Sequence, residues 1–435
     1  MQDAASPGSA GFGLTDSPTG PRRGYLSLAW KLGAYGMTTA VSLVAQVAAI
    51  PLLISAVGPH PWAGIALGQA VGSVAGLVVQ GGWSVTGPTE VAMAGDERRQ
   101  LIYAQSALVR GVGFIPVALI AAGVCALVGG SEWAIMLSAV AAAANGLSPS
   151  WFLVGISRPF YFFMAESVPR AVGTVGGAVA VAVGAPLVVF PIAQLVACLA
   201  TFVVVSINFI QMRLRDVWRS IDSAVLREQV PGLTQSLVQS SYKYLPLIVV
   251  SALTPAAAPV YALGDRLLKL SVAGMRPMTQ VLQGWVPAAK SPEVFAHRAR
   301  VARAGNLAVS GMSAVLFATL APTAGDLLSH GKISISYPLA AMLGLAFGLA
   351  LASATTGLVF LVSLGLKRYL AASAVVGAVV GIVTIWPAVI LWAAFGAGLS
   401  VACSELAVQT YQTWKLRQAG WPHRLGVDHL ETEPT

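Results

Sequence analysis

The chain reads as an all-α polytopic membrane protein of twelve transmembrane helices. They form two six-helix lobes related by a pseudo-two-fold axis along the membrane normal. Three observations predict this. Of 435 residues, 56% are hydrophobic and only 10% charged, where soluble chains carry ~25% charge. Mean hydropathy is +0.74. Apolar runs of spanning length begin near residues 31, 63, 106, 133, 168, 190, 233, 257, 304, 337, 369 and 394. Finally, with the N-terminus placed in the cytoplasm, 21 of the 26 basic residues fall on the cytoplasmic side, as the positive-inside rule requires.

Residues 1–24 are rich in Gly, Pro and Ser and predict a disordered cytoplasmic tail with no secretory signal. The N-lobe occupies 25–210. Its first helix carries Lys31, Tyr35, Thr38, Ser42 and Gln46 on one stripe and a late Pro51; its second returns and ends at Pro88. Helices near 106, 133, 168 and 190 follow, the last two divided somewhere around Pro186 and Pro191. The longest hydrophilic break is the cytoplasmic linker, 211–231.

The C-lobe, 232–414, repeats the pattern. Its first helix presents Gln235, Gln239, Tyr242 and Lys243 and a late Pro246, and its second ends at Pro287. Six helices per half leave both halves in one orientation, a parallel repeat whose site lies between the halves near the midplane. Residues 415–435 form a cytoplasmic tail. The 45 glycines suit close helix packing. Cys125, Cys198 and Cys403 lie singly in apolar runs and read as small buried hydrophobes.

Charge inside the spans is the functional signal. The stretch Tyr261 to Pro287 is long enough to cross a bilayer, yet holds Asp265, Arg266, Lys269 and Arg276. On a helix, Asp265, Lys269, Arg276, Gln280 and Gln283 share one face. Each charge at the bilayer centre costs roughly 2.5–3.5 kcal/mol, so this face lines a polar interior. One carboxylate cannot balance three cations, which implies an anion supplied from outside the chain. Lys243, Lys269 and Glu405 lie at central depth, whereas Arg266 and Arg276 can snorkel towards opposite surfaces. Two bland pairings compete with a binding role: Lys243 with Glu405, and Asp265 with Lys269 at i,i+4.

Other chemistry has no foothold. No GxSxG, HExxH or phosphate-binding glycine loop occurs, and the five histidines are unclustered in loops or tails. Neither catalysis nor a cofactor is expected. The net charge of +9 serves membrane orientation, so nucleic acid is not an expected partner. Without a nucleotide site, transport would draw on an ion or substrate gradient.

Three motifs carry a resemblance. In VAQVAAIPLLISAVGPHPWAGIALGQAVGSVAGLVVQGGWSVTGPTEVAMA (44–93), the matching positions are Pro51, Gly58, Gly64, Gln69, Gly82, Gly87 and Glu90-Val91-Ala92. In SPSWFLVGISRPFY (148–161) they are Pro149, Trp151, Phe152 and Gly155, and YALGDRLLKL carries the pair Asp265-Arg266. Together they resemble the polysaccharide-export branch of the multidrug/oligosaccharidyl-lipid/polysaccharide exporter superfamily, which contains the O-antigen and capsule repeat-unit flippases. The likeness lies in motifs over the first eight helices and in hydropathy beyond them. Where relatives commonly place an acid before the glycine of helix 2, this chain has Gln80-Gly81-Gly82, so ion coupling through that acid does not carry over.

The resemblance implies a flippase of a polyprenyl-pyrophosphate-linked oligosaccharide in the bacterial cytoplasmic membrane, working by alternating access. Glycan polymerase and glycosyltransferases are the implied protein partners, beside membrane lipid. Lys243, Lys269, Arg266 and Arg276 would meet the pyrophosphate. Tyr35, Gln46, Gln69, Gln235, Gln239 and Tyr242 would meet sugar hydroxyls. Glu405 and Asp265 would hold the cations or carry a coupling proton or sodium ion. Two rivals stand beside this reading: a cation-coupled multidrug exporter, which wants acids in its cavity, and a non-transporting scaffold of glycan assembly.

Overall fold

The computed structural model describes residues 21–289 and 291–420, and every regular element among them is helical. Side chains are described from Met37 onward, except at 239, 241, 290 and 292. The first half contains α1 (Pro21–Val57), α2 (Pro59–Gln80), α3 (Trp83–Met93), α4 (Asp96–Gly129), α5 (Trp133–Ala143), α6 (Ser150–Gly155), α7 (Pro159–Phe162), α8 (Val168–Ala182) and α9 (Val189–Phe209). After α10 (Leu214–Arg219) the second half contains α11 (Ser223–Leu253), α12 (Ala258–Gly274), α13 (Arg276–Trp285), α14 (Pro292–Ser329), α15 (Tyr337–Thr355) and α16 (Lys367–Gln418).

Helix stands at every start position read from hydropathy, and eight helical stretches among the described residues are long and apolar enough to cross a membrane. The 52 residues of α16 are two legs joined at Ala393, whose φ of 48° and ψ of −124° interrupt the rod. The division near Pro186 and Pro191 falls at 183–188, where Gly184 takes a φ of 106°. The hydrophilic stretch 211–231 is itself largely helical, because the Asp222 carboxylate accepts the Val225 N–H at 2.9 Å and starts α11 early.

The two halves repeat one packing plan. α4 packs on α5 as α14 packs on α15; α2 meets α5 as α12 meets α15; α1 meets α8 as α11 meets α16. Contacts between halves run from α2 to α11 and α12, from α1 to α12 and α14, and from α3 and α4 to α11.

Several residues of the first two motifs form a packing joint. A Cβ on Gly87 would strike the Trp151 ring, and Trp151, Phe152 and Tyr103 stack into a buried cluster with Val91. Arg99 donates to the carbonyls of Val91 (2.9 Å) and Ala92 (3.3 Å) and so closes the end of α3. The pair Gly81-Gly82 breaks the rod between α2 and α3: Gly81 has a φ of 62°, and a Cβ on Gly82 would overlap the Gln229 backbone of α11.

Two arginines depart from the cytoplasmic placement given them by charge alternation. Arg110 is 1% exposed inside the first half. It donates to Gly146 O (3.1 Å) and Ser148 O (2.8 Å), beside the 3-10 turn Ala144–Leu147 that interrupts the helix between α5 and α6. Arg110 is therefore a structural cation that takes the carbonyls freed by a helix break. Arg170 lies in the interior cavity described next.

One end of the interface between halves is sealed. Ile50, Leu53, Ile54 and Trp62 of the first half join Tyr261, Leu263, Ile333, Ile335 and Leu339 of the second in one apolar cluster. Above it, Lys332 Nζ reaches across to Ile54 O (3.3 Å) and Ser55 O (3.0 Å), the last carbonyls of α1.

Candidate functional site: the central cavity

Below that seal, a cavity of about 850 Å³ lies between the halves. Its lining runs from Ala262 and Gln194, about 6–8 Å from the sealed ends of their helices, to Thr38, Arg276 and Gln412, about 27 Å from them at 1.5 Å per residue. It thus extends from just beneath the seal towards the arginine-rich end. α1 contributes the expected stripe of Thr38, Ser42 and Gln46; α2 contributes Gln69 and Ser73.

Among the described residues, eight charged side chains of opposite sign line it: Arg170, Lys243, Arg266, Lys269 and Arg276 against Glu166, Asp265 and Glu405. Fully ionised, five cations against three anions leave an excess of two positive charges. Two pairs are closed. Lys269 Nζ donates to Asp265 Oδ2 at 2.6 Å and sits 4.6 Å from the Tyr244 ring centroid. Arg170 lies 3.3 Å from Glu166, whose carboxylate also accepts the Ser148 hydroxyl. Among the described residues, Lys243, Arg266 and Arg276 have no carboxylate within 4.0 Å.

Of the two bland pairings, then, Asp265 with Lys269 forms directly and Lys243 with Glu405 does not. Glu405 is buried and is held by the hydroxyls of Tyr242 and, at 3.5 Å, Ser353. Arg266 does not snorkel to a surface. Its Nη1 donates to Gln69 Oε1 (3.2 Å), Gln69 Nε2 to Gln194 Oε1 (3.3 Å), and Gln194 Nε2 to Thr174 Oγ1 (3.3 Å). This relay ties α12 of one half to α2, α9 and α8 of the other.

Nine of the twelve site residues expected from sequence line the cavity: Gln46, Gln69, Tyr242, Lys243, Asp265, Arg266, Lys269, Arg276 and Glu405. Gln235 does not. The early start of α11 puts it two turns before Lys243, exposed and outside the lining. The side chains of Tyr35 and Gln239 fall outside the described ones. Glu166, Arg170, Thr174, Gln194, Asn145, Ser353 and Gln412 also line the cavity and went unassigned from sequence. For Glu166 a signal existed, a carboxylate four residues before an arginine at the edge of a span. A π-helical turn, Phe163–Ser167, carries it, as such turns do at functional sites.

Among the described residues no three His, Cys, Asp or Glu side chains converge as metal ligands would. The cavity instead offers fixed cations, amides and hydroxyls, a set able to hold an anion and, around it, polyhydroxyl groups.

No family model and no curated protein matches the sequence. Solved structures do. A multidrug resistance MATE family transporter of the MOP superfamily, in an inward-facing conformation, superposes with a TM-score of 0.65 at 14% identity, covering 87% of this chain and 95% of that one. The lipid II flippase MurJ, in an inward closed conformation, gives 0.66 at 11% identity, covering 88% and 87%. A MOP superfamily transporter from Pyrococcus furiosus, described as having a binding pocket of reversed polarity, gives 0.54 at 13% identity over 89% and 95%. The chain therefore has the two-lobed, all-helical fold of these transporters.

Proposed function

We propose that the protein moves an anionic lipid-linked oligosaccharide, a polyprenyl pyrophosphate carrying a glycan, across the bacterial cytoplasmic membrane by alternating access. The observation that carries the reading is the charge of the cavity. Three cations there, Lys243, Arg266 and Arg276, lack carboxylate partners within 4.0 Å among the described residues. Uncompensated cations at this depth are unfavourable until an anion joins them, and a pyrophosphate supplies that anion. Gln46, Gln69, Gln194, Thr38 and Ser42 border the same space and would face the sugars. The polyprenyl tail would remain in lipid. With the Lys332 end external, the apolar seal closes the external side of the cavity. The lipid II flippase with this fold acts on a lipid-linked precursor by its own description, which supports the class of cargo.

Glu405 and Asp265 are the acids available for coupling to a proton or sodium gradient. Glycan polymerase and glycosyltransferases are the natural neighbours of such a step. The test is flipping of a fluorescent undecaprenyl-pyrophosphate oligosaccharide in proteoliposomes. Lys243→Ala with Arg266→Ala lowers the rate at least tenfold while the protein elutes as the parent does. Parent-level flipping by that variant refutes the cation role.

A second reading, a cation-coupled multidrug exporter, draws on the three cavity carboxylates and the MATE likeness. Efflux of a lipophilic cation dye that Glu405→Gln abolishes, with no flipping of the pyrophosphate lipid, would establish it in place of the first.

A further inference from the structure

We infer that the second leg of α16 carries, on the face turned away from the cavity, a binding site for an anionic phospholipid. This leg has two opposed faces. Val401, Glu405, Val408 and Gln412 line the cavity. Cys403, Leu406, Ala407, Thr410, Tyr411 and Trp414 follow the i, i+3, i+4, i+7, i+8, i+11 pattern on the opposite side and line a shallow groove of about 420 Å³. At 1.5 Å per residue the groove is about 16 Å long, about half the ~30 Å hydrocarbon thickness of a bilayer. It therefore has the length of one leaflet. Its walls are apolar, with Leu406 and Trp414 about half exposed.

The groove ends on a cationic, aromatic rim. Lys415 Nζ stands 4.0 Å from the Trp414 ring centroid, 5.1 Å from that of Tyr369 and 5.8 Å from that of Tyr411. Arg368, from the start of the first leg, lies over the same Tyr369 ring at 4.7 Å and donates to its hydroxyl at 2.8 Å. Lys367 and Arg417 sit at the same end. Among the described residues none of these four cations has a carboxylate within 4.0 Å. Tyr369 thus holds two cations side by side, Lys415 also donating to Gln418 Oε1 at 3.0 Å, and none of these neutral partners cancels their charge.

An interfacial anchor needs only one aromatic and one cation at the headgroup level. Here the cations terminate a continuous apolar groove of leaflet length. One acyl chain along Cys403–Trp414 with a phosphodiester between Arg368 and Lys415 satisfies both parts. A zwitterionic headgroup would set its own cation against the same rim. The ligand class is accordingly an anionic phospholipid of the leaflet at the arginine-rich end.

Native mass spectrometry of the full chain, released from micelles with equimolar phosphatidylglycerol and phosphatidylcholine, tests this. The parent retains phosphatidylglycerol preferentially. Arg368→Ala with Lys415→Ala reduces its retention at least fivefold and leaves phosphatidylcholine unchanged. Ala407→Trp, which fills the groove but keeps both cations, reduces it as well. Arg213→Ala with Arg215→Ala, at exposed basic positions elsewhere on that end, leaves it at the parent level. Equal retention of both lipids by the parent overturns the proposal, as does an equal loss in the Arg213/Arg215 variant, which signals bulk electrostatics. Deletion of 421–435, which holds Asp428, Glu431 and Glu433, leaves retention unchanged. Phosphatidylglycerol binding that appears only after this deletion assigns the groove to the chain's own acidic end and refutes the lipid.

Discussion

Replacing Lys269 by Ala separates the closed Asp265–Lys269 pair of α12 from the cations that remain free for a ligand. Asp265 is 6% exposed and its Oδ2 takes the Lys269 ammonium at 2.6 Å, with Lys269 about one-third exposed. Breaking a buried pair from one side costs roughly 3–5 kcal/mol, and an exposed pair about 0.2–1 kcal/mol. A pair with one buried and one partly hydrated member falls between, at about 2 kcal/mol, or about 30-fold in the folding equilibrium. Lys269→Ala strands the buried carboxylate and should destabilise by that amount. Asp265→Ala should cost less, about 1 kcal/mol, because Lys269 keeps the Tyr244 ring at 4.6 Å. The double variant should lose less than the sum. Reversible unfolding in mixed micelles, run as a double-mutant cycle, measures this coupling directly. A coupling below about 0.5 kcal/mol would refute the reasoning that this pair is structural.

Other outcomes follow from the same contacts. Gly82→Val drives a side chain into the Gln229 backbone and should cost about 1–3 kcal/mol; a thermal unfolding midpoint equal to the parent's contradicts the close approach of α2 and α11. Lys332→Ala removes two contacts to Ile54 and Ser55 and should raise opening at that end several-fold, about 1 kcal/mol. Spin-label distances between positions 57 and 331 read it, and an unchanged distribution rules the latch out. Arg110→Ala leaves the Gly146 and Ser148 carbonyls without their donor and should destabilise by about 3 kcal/mol, seen as loss of folded protein on size exclusion. Glu405→Gln should flip the lipid-linked glycan at a rate indifferent to an imposed pH gradient, and parent-like dependence on that gradient removes Glu405 from coupling.

Membrane character, the repeat and much of the polar interior were legible in the sequence, because the bilayer imposes a one-dimensional rule on it. Each apolar run must be about 20 residues long, and each charge within one must find a polar interior. Lys243, Arg266, Lys269, Arg276 and Glu405 break that rule conspicuously and all reach the cavity. The stripe of Thr38, Ser42 and Gln46 declares itself by the 3.6-residue period alone. What the sequence could not decide was pairing. Asp265 and Lys269 share a helix, so their contact is local; whether Lys243 meets Glu405 depends on how α11 and α16 cross, and there Tyr242 and Ser353 hold the acid instead. Charge counting placed Arg110 and Arg170 in the cytoplasm because it is blind to depth beside a helix break. Only the fold shows the turn at Ala144–Leu147 that needs Arg110, and the π-helical turn that carries Glu166 opposite Arg170. The relay from Arg266 through Gln69 and Gln194 to Thr174 joins four helices and both halves. No spacing along the chain encodes it, since its partners are brought together only when the two halves pack.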